Sequence, residues 1–182
     1  MKFILYSGLF LAFASATLAA VSTPVATQLQ ATLQTFEGCG FKVSNFLDNN
    51  AKTISVLAGP KVAQYCGEVS DSIAIINATI YGGWEKLIAA ATDVQFTAIG
   101  KNIKTLSDAT CKLNVDVAAA VKAKSLPLFK TTVSVYIKSC ALATGNLIDN
   151  LNKIGTDEAK DISEEVDDLL YIAAKLKKAL SI

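Results

Sequence analysis

The stretch FEGCGFKVSNFLDNNAKTISVLAGPKVAQYC, residues 36–66, decides how this chain folds. Cys39 and Cys66 bracket it, 27 residues apart. Before and through it, apolar residues fall at Val25, Leu29, Leu33, Phe36, Val43 and Leu47. After it they fall at Val62, Cys66, Val69, Ile73, Ile76 and Ile80. That three-or-four spacing marks helices with one buried stripe. Two breaks compete between the stripes. Asp48-Asn49-Asn50 carries side chains that bond nearby backbone and favour turns. Gly59-Pro60 joins a residue suited to the position after a helix with one suited to the next first turn. A short helix over 51–58 fits between them.

The choice of break sets what Cys39 faces. In an antiparallel hairpin, residues equidistant from the turn lie side by side. A disulfide needs Cα atoms within about 7 Å. The midpoint of Cys39 and Cys66 falls just past Asn50, so a reversal there pairs them. A reversal at Gly59-Pro60 would hold them apart. Gly38 and Gly40 each cost a helix about 1 kcal/mol relative to Ala, which predicts a neighbouring helix approaching beside Cys39.

Further along, Gly82-Gly83 reads as a break, followed by a short amphipathic segment from Trp84 to Ala91. Thr92-Asp93-Val94-Gln95 has the form of a capping box. Phe96, Ile99, Ile103, Leu106, Leu113, Val117 and Val121 then carry a long stripe to the break at Ser125-Leu126-Pro127. Phe129, Val133, Tyr136, Ile137, Cys140, Leu147, Leu151 and Ile154 carry the next, ended by Gly155 with Thr156 as the following N-cap. The last helix has acids at its start and lysines at its end, matching the helix dipole. Cys111 and Cys140 straddle the 125–127 break, 29 residues apart. The expectation is an all-α antiparallel bundle of five to six helices, stapled by Cys39–Cys66 and Cys111–Cys140.

Residues 1–19 read as a signal peptide: Lys2, an apolar run over 3–13, then small residues. The mature chain, 20–182, is expected to be one secreted, extracellular domain without a transmembrane segment. Without Lys2 the 17 basic residues become 16, against 16 acids. That balance gives no reason to expect a nucleic-acid partner. The chain has no His and no Arg. It therefore lacks the usual neutral-pH acid–base group and the bidentate phosphate fork. No catalytic, metal or cofactor residues are assigned, and the chain is read as not an enzyme.

Asn77-Ala78-Thr79 is an N-glycosylation sequon, usable only if that edge of its helix faces water. The seven acids between Asp157 and Asp168 lack EF-hand spacing and read as a solvated face. Lysines outnumber acids between Lys86 and Lys138, which would suit an anionic partner. Two functions remain. One is binding of a small apolar ligand within the bundle, with Tyr65, Tyr81, Trp84, Phe96, Phe129 and Tyr136 lining the pocket. The other is a secreted interaction factor acting on an extracellular protein through its surface. An apolar cavity of a few hundred Å³ would favour the first, and a solid core the second.

Overall fold

The computed structural model describes residues 21–182. The expected signal peptide lies outside the described residues. Five helices account for nearly all of them: α1 (Thr23–Ala58), α2 (Pro60–Ala90), α3 (Asp93–Lys122), α4 (Leu126–Asn152) and α5 (Asp157–Leu180). Three starts are capped as their residues predict. Thr92 Oγ1 accepts from Gln95 N, and Gln95 Oε1 accepts from Thr92 N. Ser125 and Thr156 cap α4 and α5 through Leu128 N and Ala159 N.

Two expected breaks are absent. The helix runs unbroken through Asp48-Asn49-Asn50. Asn50 Nδ2 donates to the Phe46 carbonyl at 2.8 Å, so its amide is satisfied inside the helix. Leu47 and Ile54, on either side of the asparagines, are both buried, and their burial holds the stripe in register. Gly82-Gly83 likewise lies inside α2. A Cβ on Gly83 would sit 3.3 Å from Glu158 Cβ, so this glycine admits α5 rather than ending a helix. The first reversal falls at Gly59, whose φ of 94° suits glycine, with Pro60 opening α2.

That reversal undoes the expected staples. Gly40 packs against Ile73 and Asn77 of α2. Cys66 lies seven to eleven residues from these two, roughly 10–16 Å along the axis. The disulfide is instead Cys39–Cys111, with Cα atoms 4.9 Å apart. Cys66 and Cys140 are free and buried. Cys111–Cys140 fails because Cys111 faces α1, where it bonds Cys39, and not α4. One residue turns a helix by about 100°, so Cys111 looks away from the α4-facing Thr110 and toward α1.

The helices close into a ring in the order α1, α2, α5, α4, α3, and α3 returns to α1. Short connections make sequential neighbours antiparallel. The α1–α3 pair is therefore parallel, and its register is constant. Ser22 N donates to Asp93 Oδ1, Leu29 Cδ1 lies 3.5 Å from where a Cβ on Gly100 would sit, and Cys39 bonds Cys111, at offsets of 71, 71 and 72. Phe36, Ile73, Phe96, Phe129, Leu147 and Ile162 fill one continuous core inside the ring.

Gly38 is exposed with open space around its Cα, whereas a Cβ at Gly40 would meet Ile73 Cγ2 at 2.6 Å and Asn77 Nδ2 at 2.7 Å. Gly38→Ala should therefore stabilise by up to about 1 kcal/mol. Gly40→Ala should destabilise by about 1–3 kcal/mol through overpacking. Urea unfolding of both variants checks the sign, and a Gly40→Ala variant as stable as Gly38→Ala would contradict the close approach. The Cys39–Cys111 bridge closes a loop of 72 residues, worth about 4 kcal/mol in the chain-entropy account. Replacing both cysteines by Ser should lower stability by roughly 3–4 kcal/mol. Peptide mapping under non-reducing conditions should recover Cys39 joined to Cys111, and recovery of either hairpin pair would refute the assignment.

Candidate functional site

The six aromatics expected to line one pocket divide between the two ends of the ring. Trp84 and Phe96 pack with centroids 5.3 Å apart and bound an axial void of about 10 Å³ with Leu29, Leu87 and Leu147. Phe129 and Tyr136 bound a second, of about 20 Å³, with Cys66, Leu113 and Leu176. All five helices contribute to each void. Tyr65 is half-buried under the Lys175 ammonium, 5.9 Å from its ring. Tyr81 is on the surface beside Glu37, whose carboxylate raises the phenol pKa after burial has done so. Neither reaches an axial void, although Tyr81 and Trp84 together line a surface recess of about 250 Å³ with Gln30, Leu33, Glu85 and Lys86. A void needs about 10–15 Å³ to hold one water, so neither axial space admits a lipid chain.

Polar side chains are buried along α3 and α4. The Ser107, Thr110, Thr144 and Tyr136 hydroxyls are buried without a protein hydrogen-bond partner. The Tyr136 hydroxyl lies beside Thr110 and Cys140 without hydrogen-bond geometry to either. Burial raises the Tyr136 phenol pKa well above its usual value. The Cys66 and Cys140 thiols are pushed up to about 12 by the same desolvation. Neither is a thiolate at neutral pH, and so neither is a nucleophile.

Asn77 belongs to this interior. It is 5% exposed, and its amide faces Gly40 of α1. The edge that a glycan requires is turned inward, so the folded chain leaves Asn77 no room for one. The acids of α5 point outward, and Glu158 pairs with Lys86 of α2. The lysine holds the Glu158 carboxyl below its usual pKa. Among the described residues no three His, Cys, Asp or Glu side chains converge as metal ligands, and no helix is long and apolar enough to cross a membrane.

The outer surface holds the larger spaces. A cleft of about 140 Å³ lies in the α1–α3 seam, and a groove of about 310 Å³ in the α3–α4 seam. Leu128 and Val135 line the second groove, and Leu142 continues their line one heptad further. These three are 42%, 46% and 72% exposed. The sequence carried this signal. Leu128, Val135 and Leu142 recur every seven residues, about 100° from the Phe129, Tyr136 and Leu147 stripe, so α4 has two apolar faces. No family model, curated protein or solved structure matches the chain.

The Tyr136 hydroxyl yields the sharpest test of the core. A buried hydroxyl without a partner costs about 1–3 kcal/mol relative to a satisfied one. Tyr136→Phe should leave stability unchanged or raise it by about 1 kcal/mol, measured by urea unfolding. A loss above 1 kcal/mol would mean that the hydroxyl has a working partner.

Proposed function

We propose that the chain is a secreted, non-enzymatic protein that acts by binding another extracellular protein through its outer helical surface. Secretion rests on the signal-peptide pattern of residues 1–19. The non-enzymatic reading rests on the donor set. There is no His, the two free thiols stay protonated, and the one phenol in the core is buried.

The contrast between inside and outside carries the reading. The ring encloses spaces of only about 10 and 20 Å³, which argues against an enclosed apolar ligand. Outside, α4 holds three large aliphatic side chains in water along one line. At 1.5 Å per residue the line is about 21 Å long, the reach of a partner helix of about 14 residues. Such a stripe is an interaction signature when polar residues rim it. The groove's own charged lining is the Lys112–Asp116 ion pair, and the charges without a partner lie beyond it and are cationic. Lys122, Lys124 and Lys138 are exposed near the stripe, and none lies within ion-pair distance of a carboxylate among the described residues. The partner that fits presents an apolar helix face bordered by acids, as helix-in-groove recognition requires.

The expected result concerns Leu128→Ser, Val135→Ser and Leu142→Ser combined, in the mature chain. The wild-type chain, cross-linked in its native extracellular fluid, should yield one specific acidic partner by mass spectrometry. The triple variant should bind the purified partner about tenfold or more weakly, as loss of central apolar anchors implies. Salt should weaken the wild-type association. Undiminished binding by a folded triple variant would exclude this face as the interface.

A further inference from the structure

The α1–α3 cleft carries a separate inference, independent of the α4 face. Its floor is Leu29 of α1 and Phe96 of α3, both almost fully buried, with Val25 beside them. Behind Leu29 and Phe96 lies the axial void, so the floor is two side chains thick at most. The cleft is open because residue 100 is glycine. A Cβ there would rest 3.5 Å from Leu29 Cδ1, in ordinary contact, and a longer side chain would occupy the space.

The walls are polar and the rim is charged with one sign. Lys101 and Lys104 line the cleft, and no carboxylate does. Lys104 also holds Asp108 at 2.9 Å, whereas Lys101 has no carboxylate within ion-pair distance among the described residues. Asp93, the nearest acid along α3, directs a carboxylate oxygen to the Ser22 N–H. An apolar floor beneath a cationic rim selects a molecule with one apolar end and one anionic end. Size limits the apolar end. A cavity of about 150 Å³ accepts benzene, so about 140 Å³ accepts a chain of roughly six to eight carbons.

We propose that the α1–α3 cleft is a binding site for a small amphipathic anion of the medium-chain carboxylate class. Its alkyl end lies on Leu29 and Phe96, and its carboxylate accepts from Lys101 with Lys104 as second cation. Both lysines are solvent-exposed, so each charge contributes modestly.

The test is a titration of the ¹⁵N-labelled mature chain with sodium octanoate and, separately, with 1-octanol. Octanoate should saturate and shift amides of residues 25–32 and 96–104. Octanol should bind the same place roughly two- to fivefold more weakly, the worth of an exposed charge contact. Lys101→Gln should narrow the gap between octanoate and octanol, Lys101→Gln with Lys104→Gln should close it, and both should leave octanol unchanged. Gly100→Leu should abolish both. Thr97→Phe, at an exposed cleft position, should do the same and decides the matter if Gly100→Leu does not fold. Non-saturating shifts, shifts centred elsewhere, equal binding of octanol and octanoate, or full octanoate affinity in a folded Thr97→Phe variant would overturn the proposal.

Discussion

Five helices that alternate in direction cannot close a ring without setting one parallel pair side by side. In this chain that pair is α1 and α3. The other four seams join antiparallel neighbours, whose dipoles oppose favourably. At the α1–α3 seam two positive helix starts meet at one end. Asp93 sits between them, accepting the Ser22 N–H at 2.6 Å, so a carboxylate lies at both starts. Higher up, the Cys39–Cys111 bond joins the same two helices. The single covalent cross-link among the described residues thus falls on the seam that helix direction favours least. Since it spans 72 residues and encloses all of α2, it also ties the first turn of the topology to the second.

Closing the ring without a large central hole also requires the helix axes to come close. Glycines permit this at two seams. Gly40 lets α2 reach α1 so nearly that a methyl group would overlap Ile73 and Asn77. Gly83 lets α5 reach α2. The gain in helix–helix contact offsets the roughly 1 kcal/mol that each glycine costs its helix. The filled interior follows, with axial spaces of only about 10 and 20 Å³.

What could be read from residues alone divides along a physical line. Local signals held. The stripes from Leu29 to Leu47, Val62 to Ile80 and Phe96 to Val121 are the buried faces, and the Thr92 and Thr156 caps form as their neighbours imply. Signals that depend on tertiary packing misled. Asp48-Asn49-Asn50 and Gly82-Gly83 look like breaks by propensity, but burial of Leu47 and Ile54, and the approach of α5, keep both helical. The cysteine pairing failed for a related reason. Equidistance from a turn gives the level of a residue on its partner helix, not the side it faces. It also considers only sequential hairpins, whereas Cys39 and Cys111 lie on helices separated by two reversals. Their distances from the helix starts are 16 and 18 residues, a match that has meaning only once α1 and α3 are known to be parallel neighbours. The aromatic set failed as one site because Tyr65 and Tyr81 are on one helix, 16 residues apart, about 24 Å along it. The α4 stripe was readable as a second apolar face, and the burial-first reading of that helix hid it.

The parallel seam also explains why a recess persists on a molecule so closely packed elsewhere. Gly40 and Gly83 have their missing side chains replaced by atoms of the facing helix, whereas a Cβ on Gly100 would meet only Leu29 Cδ1 within 4 Å, in ordinary contact. The seam is held at two fixed points, the Ser22–Asp93 contact below Gly100 and the Cys39–Cys111 bond above it. Between them the helices can neither separate nor slide in register without breaking one or the other. A gap left by an absent side chain at that position therefore cannot be removed by moving the helices as rigid bodies. It can be filled only by side-chain rearrangement of Leu29 and Phe96, which the core already holds in place, or by something from solution. The direction constraint that calls for a staple thus also fixes the walls of the cleft beside it.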